Sequence, residues 1–152
     1  MTPDGRKLVV SNMTSGFDIY DIETGASLRA LGHRVAELLA IPVMFAQGGA
    51  VIVGGSAVGK AHIWDATTYE LCQDLSHEGE VSCVLSAMQR SCTADSDRIL
   101  ALDAHDNRVN NRYLIATGIS NPGLKPAVTL WYAEEKADSL GFREKVLNTI
   151  FA

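Results

Sequence analysis

The sequence predicts an all-β chain, and three observations predict it. Segment 17–33, FDIYDIETGASLRALGH, matches segment 61–77, AHIWDATTYELCQDLSH, at a constant offset of 44 residues. Ile19-Tyr20-Asp21 falls on Ile63-Trp64-Asp65, Thr24 on Thr68, Leu31 on Leu75 and His33 on His77. Self-similarity at such a period marks stacked supersecondary units, because one unit alone cannot bury its own apolar face. The runs KLVVSN and AVIVGGS upstream of the two copies are short, β-branched and nearly continuously apolar. Bounded by Gly, Asp and Ser, such runs suit inner strands buried on both faces. Helix periodicity is poor from residue 1 to residue 133.

The elements follow in chain order as three units, about 1–31, 33–75 and 77–133. In the first, Pro3-Asp4-Gly5 supplies turn chemistry ahead of KLVVSN, and Asp4-Gly5 tolerates positive φ. Glu23-Thr24-Gly25 then turns the chain into the outer strand of the unit. A strand upstream of KLVVSN is absent. In the second, Gln47-Gly48-Gly49 takes the place of Pro3-Asp4-Gly5, and Ala66-Thr67 turns the chain after Trp64-Asp65. The third copy is looser: RYLIATGIS, then AVTLWYAEE, with Trp131 where the second unit has Trp64. The spacing from Trp64 to Trp131 is 67 residues, so the third unit is stretched. The excess is expected in two segments. QRSCTADSDRILALDAHDNRVNN (89–111) reads as a polar insertion around a short apolar island at Ile99–Leu102, and SNPGLKPA (120–127) as an exposed, proline-bearing loop. Both are candidate surfaces for partner contact, since loops on a rigid scaffold often carry function; the other and favoured reading is a tolerated surface loop, since loops vary freely.

From Asp138 the character changes. ADSLGFREKVLNTIFA sets Leu140, Leu147 and Phe151, with Val146 and Ile150, near one helical face. Asp138 or Ser139 is placed to cap it, and Gly141 weakens its first turn. Residues 134–152 therefore form a tail with an expected amphipathic helix, folded back on the chain's own strands. A membrane-surface helix, the other reading, would carry more Lys and Arg.

A period in the forties with a terminal aromatic-acidic dipeptide resembles the WD40 repeat family. The matching residues are Trp64-Asp65, the degenerate Tyr20-Asp21 and Trp131-Tyr132, and Gly32-His33 and Ser76-His77 at the start of the following units. The resemblance covers about residues 1–133. It implies a partial, open β-propeller of about three four-stranded antiparallel blades. It also implies a buried polar network in each blade, joining a His, an inner-strand Ser or Thr, a turn Asp and the strand Trp; satisfied networks of this kind rigidify a fold. The second unit has His33 and Trp64, but its inner-strand position is Gly54 and its turn lacks Asp. The third has His77, Thr117 and Trp131, again without a clear turn Asp. Closed propellers need more than three blades, so the leading expectation is that the chain is a piece of a larger propeller, with self-association through the open edges as the other reading.

GGSAVGK (54–60) spells most of a phosphate-binding loop. Lys60 is followed by Ala61, though, where Mg²⁺ coordination requires Ser or Thr, and the next residues have strand and not helix chemistry. The segment is expected to be a hairpin tip. His33, His62, His77 and His105 show no metal-ligand spacing. Asp95, Asp97, Asp103 and Asp106 lack the third ligand and the Gly of a calcium loop. GGSAV lacks the closing Gly of a nucleophile elbow. Cys72, Cys83 and Cys92 form no C-x-x-C pair, which argues against a disulfide framework or a thiolate zinc site, and Asn12-Met13-Thr14 is a chance glycosylation sequon.

The formal net charge of −5, with 47% apolar and 20% charged residues, argues for a globular chain and against a nucleic-acid or membrane-surface binder. MTPDGRKL lacks a signal-peptide core, so a cytoplasmic or nuclear, non-secreted setting is expected. The functional expectation is a non-catalytic protein–protein interaction scaffold without cofactor or metal. The alternatives are a propeller hydrolase, a nucleotide binder using Gly54–Lys60, and a truncated product without independent function.

Overall fold

A computed structural model describes residues 1–32, 40–76, 98–107, 112–120, 127–134 and 143–145. These residues form three antiparallel sheets with no α-helix among them. The first sheet has three strands, β1 (Lys7–Asn12), β2 (Gly16–Asp21) and β3 (Ser27–Gly32), in the order β1-β2-β3. The second has four, β4 (Val43–Ala46), β5 (Val51–Gly54), β6 (Lys60–Asp65) and β7 (Leu71–Ser76), in chain order. The third has four, β8 (Ile99–Asn107), β9 (Arg112–Ile119), β10 (Ala127–Glu134) and β11 (Arg143–Lys145).

The 44-residue offset is written into the hydrogen bonds. Lys7 pairs with Asp21 and Leu8 with Tyr20; 44 residues on, Val51 pairs with Asp65 and Ile52 with Trp64. Both outer hairpins shift register at the same point, between Ile19 and Tyr20 and between Ile63 and Trp64. Ile22 N–H donates to the Arg6 carbonyl at 2.8 Å, and Ala66 N–H to the Ala50 carbonyl at 2.9 Å. The third sheet keeps the central pairing, with Trp131 opposite Ile115. Its longer strands, nine residues in β8 and eight in β9 and β10, take up part of the 67-residue spacing.

Two expectations are corrected here. The 89–111 segment is not simply an insertion: Ile99–Asn107 is β8, the first strand of the third sheet, and pairs along β9. The apolar island is the start of that strand, and Ile99 is 1% exposed. Alternation beyond Leu102 is masked in the sequence by polar Asp103, His105 and Asp106, which is why the strand reads as loop. The expected tail helix is likewise overturned at its described residues. Arg143–Lys145 is β11, paired antiparallel with β10 through Trp131↔Glu144. Residues 135–142 and 146–152 lie outside the described residues, as do 77–97, 108–111 and 121–126. A β-sheet edge offers a row of backbone partners that a helical face does not, and β10 without β11 would be such an edge.

Two apolar clusters show how the sheets stack. Val9, Phe17, Ile19 and Leu31 of the first sheet meet Phe45, Ile52 and Trp64 of the second. Val51, Val53, Ala61, Ile63 and Leu75 of the second sheet meet Ile99, Ile115, Trp131 and Ala133 of the third. The second sheet is therefore covered on both faces, and all four residues of β5 are buried. KLVVSN departs from the expectation of two-sided burial: Val9 is buried, but Leu8 and Val10 are 40% and 41% exposed. Among the described residues, the first sheet is covered on one face only.

The closest fit between sheets is at Gly54. A Cβ there would lie 2.3 Å from Cε2 of Phe17, so the missing side chain makes room for a ring from the neighbouring sheet. That ring meets Trp64 edge-on, with centroids 5.7 Å apart and an interplanar angle of 77°, a favoured aromatic geometry. Gly54→Ala is expected to destabilise the chain by roughly 1–3 kcal/mol through overpacking. Phe17→Leu in the same chain should recover part of the loss, since residues in direct contact couple. Urea denaturation of the two single variants and the double variant checks this. An unchanged midpoint for Gly54→Ala would mean Phe17 is not seated there.

Candidate functional site

Asp21 and Asp65 end β2 and β6 and build the same turn. Asp21 Oδ1 accepts from Thr24 N–H at 2.7 Å and from Thr24 Oγ1 at 2.8 Å. Asp65 Oδ1 accepts from the N–H groups of Thr67 and Thr68, both at 2.7 Å. These bonds favour the ionised carboxylate, and both groups are held below their ordinary value of 3.8. For Asp21 the leading cause is the Thr24 amide, and for Asp65 the Thr68 amide. The backbone repeats as well: Gly25 N–H donates to the Asp21 carbonyl and Tyr69 N–H to the Asp65 carbonyl, each at 2.9 Å. Gly25 has φ +70° and Tyr69 has φ +62°. A left-handed conformation is ordinary for glycine and costly for tyrosine.

Of the network positions, Thr117 and Trp131 are brought together. Trp131 Nε1–H donates to Thr117 Oγ1 at 2.9 Å, and Thr117 is 0% exposed. Thr117 Oγ1 also reaches the Thr129 carbonyl at 3.5 Å. His33 and His77 lie outside the described residues. Tyr20 and Trp64 occupy equivalent register positions, but Trp64 is 5% exposed and Tyr20 half-buried, because among the described residues the second sheet has a neighbour on that side and the first has none. In the second sheet the position equivalent to Thr117 is Gly54, and it is occupied by Phe17 from the first. An aromatic contact stands there in place of a hydroxyl.

Gly54–Lys60 forms the connection between β5 and β6. Its amides are used internally: Val58 N–H and Lys60 N–H donate to Ser56 Oγ at 3.3 and 3.0 Å, and Gly55 N–H to the Pro42 carbonyl at 2.9 Å. A Cβ on Gly55 would meet Ile99 at 3.0 Å. A phosphate cradle needs amides converging on open space, whereas these converge on Ser56.

Sequence reasoning missed the side chains that tie the sheets together. Lys7 Nζ donates to the Ala66 carbonyl at 3.3 Å and to Tyr69 Oη at 3.1 Å, and lies 5.2 Å from the centre of the Tyr69 ring. Asp106 accepts from the N–H groups of Gln47 and Gly48 at 3.1 and 2.6 Å. It holds a turn in which Gln47 itself has φ +52°. The sequence placed Asp106 in an acidic cluster with Asp95, Asp97 and Asp103; among the described residues no group of three His, Cys, Asp or Glu is arranged to hold a metal. His62 Nδ1 and Asp74 Oδ1 are 2.6 Å apart across β6 and β7. No local pattern signals these long-range pairs. The exchange of Phe17 for Ala61 at equivalent repeat positions is the one available hint of the Phe17–Gly54 fit.

The turns converge on a rim between the first two sheets. A cleft of about 270 Å³ opens there, lined by Thr2, Pro3, Asp4, Lys7, Gly48, Gly49, Ala66 and Thr67. Asp4 is held below its ordinary value of 3.8, first by the Thr2 hydroxyl and then by the Arg6 amide. Thr2 is fixed in turn, its N–H donating to the Lys7 carbonyl at 2.9 Å. The lining combines one cation, Lys7, and one carboxylate, Asp4, with turn backbone. No family model and no curated protein matches the chain. No helix among the described residues is long and apolar enough to cross a membrane.

Two outcomes follow from the site. Trp131→Phe should destabilise by about 1–3 kcal/mol, because Thr117 Oγ1 loses a buried donor, and Thr117→Val added to it should cost less than the two changes summed. Denaturant melts of the three variants measure this. Acid should weaken the turns in a definite direction. The depressed carboxylates contribute stability above their unfolded value of 3.8, and that contribution is lost as pH falls through the lower folded values. The acid-side decline in melting temperature should be shallower in an Asp21→Asn, Asp65→Asn double variant; an identical slope would remove these turns from the acid response.

Proposed function

We propose that the chain is a non-catalytic protein–protein interaction scaffold of the WD40 type, built as a partial, open β-propeller whose three sheets are blades. The observation that carries this reading is the shared register of the stacked sheets. Pairing, strand irregularity and the Asp-centred turn recur 44 residues apart. Stacked repeats give a rigid surface whose turns all emerge on the same rims, and specificity then lies in turns and loops. The rim cleft at Lys7, Gly48 and Thr67 is the described part of that surface. Residues 89–97 and 121–126, also expected as contact loops, lie outside the described residues. The Val58 and Lys60 amides turned onto Ser56 weigh against nucleotide binding.

Thr67→Arg tests the surface, since Thr67 is exposed and the substitution leaves its backbone bond to Asp65 in place. Immobilised chain is expected to retain a protein from cell lysate saturably, and the Thr67→Arg variant to retain at least about tenfold less, which is the scale of one lost interfacial contact of about 1.4 kcal/mol. Saturable binding of ATP that disappears in Lys60→Ala, or ester hydrolysis that disappears in His62→Ala, would replace the scaffold reading with the corresponding enzyme or nucleotide-binding one.

A further inference from the structure

The three sheets make the same contact twice and leave each half of it open once. In each internal contact the entering face is built around the aromatic residue near the end of a β-hairpin and the residue opposite it. These are Trp64 with Ile52 against the first sheet, and Trp131 with Ile115 against the second. The receiving face is built from the alternate residues: Val9, Phe17 and Ile19 in the first sheet, and Val53, Ala61 and Ile63 in the second. By the same register the outer face of the first sheet is an entering face, with Tyr20 opposite Leu8 and Val10 beside them. The outer face of the third is a receiving face. Leu130 lies there opposite Ala116, and Val128 sits one alternate position away.

Burial marks these faces as uncovered. Leu8 is 40% exposed, where the equivalent Ile52 and Ile115 are 0% and 1%; Val10 is 41% exposed, where the equivalent Thr117 is 0%. Val128 is 48% exposed and Leu114, further along the same face opposite Tyr132, is 37% exposed, where the equivalent Ala61 and Val51 are 0% and 5%. Apolar residues grouped on a sheet face mark an interaction surface. Here the chain itself shows, twice, what covers each kind of face.

We propose that the outer face of the first sheet seats on the outer face of the third sheet of a second copy of this chain, head to tail, so that two copies close one ring. The contact continues the stacking that already joins the three sheets and rests on the propeller reading above. It is heterologous, since the two surfaces differ, and a heterologous contact gives a ring when its rotation closes. Closed propellers have about four to eight blades. Copies that each bring three sheets reach that range only as a pair.

Val10→Asp and Val128→Asp each place a charge in one of the two surfaces, at exposed positions where the fold tolerates it. Sedimentation velocity of the wild-type chain is expected to show twice the 16.3 kDa chain mass. Each variant alone, with its far-UV β spectrum intact, should fall to the mass of one chain. An equimolar mixture of the two should return to two-chain mass, because one intact contact remains between the unmodified ends. Wild type at the mass of one chain overturns the proposal, and so does either variant that stays paired by itself, which would mark a like-with-like contact. If Gly54→Ala still lowers stability in that single chain, the stacking of sheets stands and only the closure fails. If Gly54→Ala is silent, the propeller reading fails with it.

Discussion

A small sheet that is apolar on both faces folds only if both faces are covered, and the second sheet carries that demand. β5 is buried along its whole length, with Ile52 turned to one neighbour and Val51 and Val53 to the other. No turn or hydrogen bond within the sheet meets the requirement. What meets it on one side is the seating of Phe17 over Gly54 and against Trp64, and on the other the packing of Ile63 and Leu75 on Ile115 and Trp131. Among the described residues the first and third sheets are each covered on one side, which leaves Leu8, Val10 and Val128 exposed. The ties at Lys7 and Asp106 then fix how the sheets are registered on one another.

The relation between sequence and fold can be followed residue by residue. The hairpins of the first two sheets were legible because their signals are local. Asp21 and Asp65 sit three residues before Thr24 and Thr68, and the flanking β-branched runs set the strands. The hairpin at Gly54–Lys60 was legible for the same reason, its Ala61 and the following strand residues ruling out a helix. β8 was not legible, because four of its nine residues are polar and its partner β9 follows a polar stretch. β11 was not legible either: Arg143-Glu144-Lys145 has no strand propensity, and it pairs because β10 offers a free edge. Helical spacing of Leu140, Leu147 and Phe151 is a local preference that tertiary pairing overrides.

The candidate site divides along the same line. Trp131 and Thr117 were named from their positions, and they are bonded. Trp64 was named for a polar network whose His33 lies outside the described residues, and the structure shows it in an edge-on contact with Phe17 over Gly54. Lys7, Phe17 and Asp106 act across sheets, over separations in sequence that no motif spans. Repeat register locates equivalent positions well, and it does not say which neighbour will fill them.

Tyr69 gives the stacking a thermodynamic consequence. It holds a left-handed backbone that its counterpart Gly25 adopts freely, and its ring and hydroxyl receive the Lys7 ammonium from the first sheet. The conformational cost is met inside the second sheet, while the interaction that offsets it comes from another. The turn is then metastable in an isolated unit and settled only in the array. Repeat proteins in which every unit is sound by itself melt from their ends inward. A chain that stores strain in one repeat and relieves it through the next instead couples the order of adjacent units, so its first two repeats are bound to lose structure together.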